Sequence, residues 1–168
     1  MKTFNLASAG ISALLLILIF AVGFIEVSVL GFKQSATAWE LFTGKDGGEG
    51  LDIAILVLVA VIVLAVNIIL QFIEVSPVTE WAKKFSKQPA NVFVNNITAI
   101  VCAALLLIVG LVTPGTMKDI VAEKDGEIGM EGLENLLNIE MAAGAWIMVI
   151  LAGSMLFLPK FIGENFKK

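Results

Sequence analysis

One stretch, residues 53–73 (IAILVLVAVIVLAVNIILQFI), constrains this chain more than any other. It holds no charged residue, and its only polar side chains, Asn67 and Gln71, lie toward one end. As a helix rising ~1.5 Å per residue it would be about 32 Å long, close to the thickness of a bilayer's hydrocarbon core. A lone backbone segment in lipid must satisfy its own N–H and C=O groups, so such a stretch crosses as a helix. Three other apolar stretches complete a set of four spans, at about residues 9–30, 53–73, 95–112 and 141–159. Composition agrees. Of 168 residues, 58% are hydrophobic and 15% charged, and the mean hydropathy of +0.95 belongs to the membrane class. Lys2 before the first apolar run and Ala36-Thr37-Ala38 after it imitate a cleaved leader. That run is longer than the ~7–15 residues of a signal core, so a retained first span is expected.

The connections carry their own signals. Weak alternation at Val27–Val29 and Thr37–Leu41 allows a short hairpin, while a helical turn over Ala36–Phe42 fits equally. Ser76-Pro77 marks a helix start, and Val78, Trp81 and Phe85 then recur at helical spacing. This predicts a short interfacial helix ending at Gln88-Pro89, aromatic side toward lipid. Thr113-Pro114-Gly115 predicts the end of the third span. Beyond it, Thr116 would cap a short helix over Met117–Val121, Asp125-Gly126 would turn, and Met130, Leu133, Leu136, Leu137 and Met141 suggest an amphipathic helix leading into the last span.

Four spans place both termini on one side. That side carries seven Lys (Lys2, Lys83, Lys84, Lys87, Lys160, Lys167, Lys168) against three acids; the other carries four Lys against twelve acids. Lysine excess marks the cytoplasmic face, which favours termini inside. Trp39 and Trp146 then fall at the outer interface and Trp81 at the inner one, as interface anchors. The expected fold is an all-α membrane protein: an antiparallel four-helix transmembrane bundle, N-in/C-in, with an inner interfacial helix and small outer loops. The expected location is a prokaryotic plasma (inner) membrane.

The side-chain inventory narrows the chemistry. There is no His, no Tyr and no Arg, and Cys102 is the single cysteine. The chain therefore lacks the usual neutral-pH proton shuttle, the bidentate anion fork and any intrachain disulfide. No catalytic arrangement, metal site or cofactor motif emerges, and no nucleic-acid signature. The acidic sets Asp46, Glu49, Asp52 and Asp125, Glu127, Glu131 do not match a calcium loop and read as a solvated face. Glu26 closes the expected first span and is a candidate cation or proton site, or a boundary residue. Asn67 and Gln71, one turn apart, are candidates for a polar path or for interhelical hydrogen bonding. Asn91, Asn95 and Asn96 line a vestibule or mark where the third helix enters the interface. Cys102 reads as a small packing residue. Gly144, Ala145, Gly153 and Ser154 form a small-residue stripe suited to helix packing, within the bundle or between subunits.

The segment Trp39-Glu40-Leu41-Phe42-Thr43-Gly44, in the first outer loop, resembles the aromatic-x-Leu-x-x-Gly segment of small prokaryotic four-span proteins. The layout is similar to that of claudin-type tetraspan proteins, which carry a Trp in that loop. The claudin Gly-Leu-Trp and its two following Cys are absent here. The resemblance implies a left-handed four-helix bundle and transfers no functional residue. The expected function is non-enzymatic: a structural or accessory subunit working by assembly in the lipid bilayer, as a homo- or hetero-oligomer. The alternative is a small ion or solute transporter or channel subunit.

Overall fold

A computed structural model describes residues 2–29, 32–44, 51–73, 75–86, 88–128 and 137–165, with the backbone alone at 123–128, 137 and 163–165. Four of its helical stretches are long and apolar enough to cross a membrane: Lys2–Ala21, Asp52–Leu70, Ala90–Ala122 and Ala143–Ile162. The first is α1 (Lys2–Ala21). The second is α3 (Ile55–Leu70), entered through a 3-10 turn at Asp52–Ala54. The third belongs to α5 (Ala90–Ile128). The fourth runs through α6 (Ala143–Ser154), a 3-10 turn at Met155–Phe157 and α7 (Leu158–Asn165). The long helices pack in a closed cycle, α1 on α3, α3 on α5, α5 on α6 and α6 back on α1.

The buried positions explain that packing. They include the rows Val57, Ala60, Leu64, Asn67 and Gln71 from α3 and its C-cap; Asn95, Ala99, Cys102, Leu106, Val109 and Thr113 on α5; and Ala145, Met148, Ala152 and Met155 on the last stretch, with Thr98, Gly110 and Gly144 buried beside them. Steps of three and four alternate, for a mean near 3.5, so each helix keeps one seam toward its neighbours. Bulk separates the faces where hydropathy does not. Ile55, Val59, Ile62, Val66 and Ile69 of α3 point outward, while Ala60, Ala99, Cys102, Ala145 and Ala152 line the seams and let backbones approach. The Cys102 thiol rests 3.8 Å from the Ala60 carbonyl oxygen.

Helices dominate as expected, but the segments between the first two and the last two long helices are more than loops. The first helix stops at Ala21, well short of residue 30. Gly23–Val29 is a strand (β1), paired antiparallel on one side with β2 (Phe32–Thr37) and on the other with β3 (Leu137–Met141). Ile25, Val27 and Ile139 lie on the face turned to the helices. Glu26 sits opposite Ser35 and Glu140 on the other face. The period of two wins over the apolar helical pattern because β3 supplies a partner from far along the chain. That pairing also removes the amphipathic helix expected at Leu137 and Met141; Met130, Leu133 and Leu136 lie outside the described residues.

The hairpin and the helical turn both form, in series. β2 ends at Thr37, and α2 (Ala38–Thr43) begins there. Thr37 Oγ1 accepts from the Glu40 N–H at 3.1 Å, and Glu40 Oε2 accepts from the Thr37 N–H at 2.7 Å. This reciprocal capping box explains so short a helix. Gly44, at φ 80, ends it in a conformation that a side chain would strain. Thr37→Ala is expected to destabilise this turn by about 1 kcal/mol, read as faster amide exchange in α2 with exchange in α3 unchanged.

Thr113-Pro114-Gly115 does not end the third helix. α5 continues through Pro114 to Ile128, 39 residues in all. At ~1.5 Å per residue that is about 58 Å, nearly twice the hydrocarbon thickness. Pro114 removes one N–H, the partner of the Gly110 carbonyl. Neighbouring elements hold the helix together past it: β3 packs on α5, with the Met141 side chain against Gly110, and Met117 packs on the core. Thr116 lies inside the helix and donates to the Val112 carbonyl rather than capping a new one. A short helix forms where expected, α4 (Ser76–Phe85), with Trp81 and Phe85 exposed. Its N-cap is Val75, so Ser76 is its first residue.

Candidate functional site

The polar residues of the spans converge at the α4 end of the helices. Asn5, Ser8 and Ser12 come from α1, Asn67 and Gln71 from α3 and its C-cap, and Asn91 and Asn95 from α5. Asn95 Nδ2 donates to the Met155 carbonyl at 2.8 Å, and its Oδ1 accepts from Ser8 Oγ at 2.7 Å. Asn67 Nδ2 donates to both Ser8 Oγ (3.1 Å) and Ser12 Oγ (2.8 Å). Asn67 Oδ1 accepts from Gln71 Nε2 at 3.0 Å, and the same Nε2 donates to the Asn91 carbonyl at 3.2 Å. Asn91 Nδ2 reaches Asn5 Oδ1 at 2.6 Å, and Asn5 Nδ2 closes on the Gln71 carbonyl at 2.6 Å. Ser8, Ser12, Asn67 and Asn95 are fully buried and Gln71 is 2% exposed.

The direction of this network is determined at its ends. A backbone carbonyl can only accept, so Met155 orients the Asn95 amide, and the Asn91 carbonyl orients the Gln71 amide. The bonds then run from Gln71 through Asn67 and Ser8 to Asn95 and end on the Met155 carbonyl, with the second Gln71 N–H on the Asn91 carbonyl, and the remainder is one acceptor. Gln71 Oε1 is buried without a hydrogen-bond partner. Gln71 is also part of the wall of a cavity of about 340 Å³, together with Asn5, Thr79 and Asn91 and the ends of α3 and α5. The network contains no titratable group. It offers hydrogen bonds and shape.

Sequence reasoning singled out Asn67 and Gln71 together, and they meet as expected, one turn apart. Asn91 and Asn95 join them. Asn96 sits at the margin: its Oδ1 accepts from Asn95 Nδ2 at 3.4 Å, and its Nδ2 donates to Gln88 Oε1 at 3.2 Å. Ser8 and Ser12 were missed; their spacing of four on an otherwise apolar helix is the signal that points to one shared face.

Glu26 belongs elsewhere. It stands on β1, outside any helix, and pairs with Lys33. That carboxylate holds the Lys33 ammonium above its ordinary pKa, with a smaller contribution from Glu140. The small-residue stripe divides. A side-chain carbon on Gly144 would collide with the Gly23 carbonyl and Val22, and Ala145 is buried, so this end packs within the molecule. Gly153 has open space around it, and Ser154 Oγ donates to the Leu151 carbonyl at 2.7 Å. Trp39 stacks between Phe20 and Phe42, with ring centroids at 4.8 and 5.3 Å. Trp81 and Trp146 are exposed.

Among the described residues no three His, Cys, Asp or Glu stand together as a metal-holding group. Asp46, Glu49 and Glu131 lie outside those residues, as do the side chains of Asp125 and Glu127. One further buried hydroxyl, Thr113 Oγ1, has no partner. Thr113→Val keeps its shape and removes the unsatisfied group. It is expected to be neutral or to stabilise by up to about 1 kcal/mol in a detergent unfolding titration. No family model, curated protein or solved structure matches this chain.

Proposed function

We propose that this chain is a four-span protein of a prokaryotic plasma membrane that works by assembly, as a non-enzymatic structural or accessory subunit. Its spans are antiparallel, with both termini and α4 on the cytoplasmic side and the sheet outside. The lysine distribution supports that orientation, and the seam spacing near 3.5 supports a left-handed bundle of claudin-like layout. The observation that carries the functional reading is Asn67. It is fully buried and bonded to three neighbours on two helices. Most of the buried polar groups near it are engaged in bonds between the protein's own helices, which supports an assembled, structural role over a polar path.

Two outer features suit assembly. β2 is an edge of the sheet, and Phe32 at its start is 83% exposed. A strand edge unpaired among the described residues, with an exposed aromatic, is a surface onto which another chain can add. The cavity beside Gln71 is the feature that favours the alternative, a transporter or channel subunit. The test is gentle detergent extraction from the native membrane, followed by mass measurement of the intact particle and identification of what accompanies it. An oligomer or a stoichiometric partner, weakened by Phe32→Lys, is expected. A lone monomer that conducts ions or solutes in liposomes would overturn the proposal.

A further inference from the structure

The polar cavity beside Gln71 does not stand alone. Leu70, Val78 and Val94 line both it and a second, almost wholly apolar hollow of about 420 Å³ between α3, α4 and α5. Val63, Val66, Phe93 and Ile97 form the walls of this groove, and Trp81 of α4 borders it. From Leu70 it runs up α3 to Ile62, eight residues or about 12 Å into the span. Each compartment has the size of a small-molecule site. One is polar and lies at the level of the interfacial helix; the other is greasy and opens toward lipid. The molecule that matches both at once is amphipathic.

We propose that the two cavities form one phospholipid site, selective for a headgroup with a primary ammonium, such as phosphatidylethanolamine. The polar end states the chemistry. Gln71 Oε1 is a buried acceptor with no donor among the described residues, in an amide whose orientation is set by acceptors on its other side. A primary ammonium brings three N–H donors; a quaternary ammonium brings none. The cavity lies between the carbonyl end of α3 (Leu70, Gln71, Phe72) and the N–H end of α5 (Pro89, Ala90, Asn91). These ends carry opposite partial charge, so a zwitterion laid across them has its ammonium toward α3 and its phosphate toward α5. Lys83 and Lys84 of α4 attract any phosphate and add no discrimination between headgroups. One acyl chain occupies the groove beside Trp81.

Native mass spectrometry of the full chain in detergent tests this, with phosphatidylethanolamine, phosphatidylcholine and free ethanolamine added in turn. Phosphatidylethanolamine is expected to be retained about tenfold or more over phosphatidylcholine, the effect of one charge-assisted hydrogen bond. Gln71→Met should erase that preference and leave chain binding. Ile97→Trp, an exposed groove residue outside the amide network, should weaken both lipids while the protein stays folded. Equal retention of the two lipids by the wild-type chain would overturn the proposal, with ordered water alone satisfying Gln71. Free ethanolamine bound as tightly as the lipid would also overturn it, because the groove would then contribute nothing.

Discussion

Gly144→Ala is expected to destabilise the protein by about 2–3 kcal/mol, although it adds a single methyl group. The added carbon would meet the Gly23 carbonyl, where the end of α1 passes into β1, and the Val22 side chain. A backbone oxygen cannot swing aside as a side chain can, so α6 or the β1 junction must move. The junction is held by β2 and β3 and by the Ala142 N–H bonded to the Phe24 carbonyl at 2.9 Å. Two controls separate this from a general sensitivity of membrane glycines. Gly153→Ala meets open space and should change stability by less than about 0.5 kcal/mol. Gly110→Ala meets only the flexible Met141 side chain and should fall between them. Unfolding in mixed micelles ranks the three variants. A Gly144→Ala protein as stable as the wild type would mean that the sheet does not seat on α6 as described.

Asn67→Leu should have an effect of similar size, about 2–4 kcal/mol, from a different cause. The substitution removes three hydrogen bonds, each worth ~0.6–1.7 kcal/mol within a membrane. It also leaves Gln71 Nε2 with one acceptor instead of two, while Ser8 and Ser12 lose their common donor. The measurement that distinguishes a network from a set of independent contacts is a double-mutant cycle with Ser12→Ala. Coupling of at least about 0.5 kcal/mol is expected. Additive losses would show that Asn67 packs without organising its neighbours. No pH dependence of this effect is expected between pH 5 and 9, because none of the bonded side chains titrates there.

The four apolar helices were legible because lipid as a solvent permits little else for such stretches. The pairing of Asn67 with Gln71 was legible because polar residues stand out on an apolar helix at a spacing that gives one face. The short helix at Trp81 could be read for the same reason, as alternation of aromatic and charged faces at period 3.6. Hydropathy could not show which side of each span faces its neighbours. Core and lipid are equally apolar, so Ile62 and Leu64 look alike in the sequence although one is half exposed and the other fully buried.

What the chain's order of residues determined by itself is its solvent: long uncharged runs settle in hydrocarbon whatever their neighbours are. What only the tertiary structure decided is where those runs stop being helices. β1 exists because residues 137–141 arrive beside residues 25–29, more than a hundred positions away along the chain. α5 passes Pro114 because β3 and the core brace it there. Gln71 is left with an acceptor to spare because Met155 and Asn91, on other elements, set the direction of every bond before it. Local propensity is a matter of fractions of a kcal/mol per residue, and contacts from distant segments outweigh it wherever they converge.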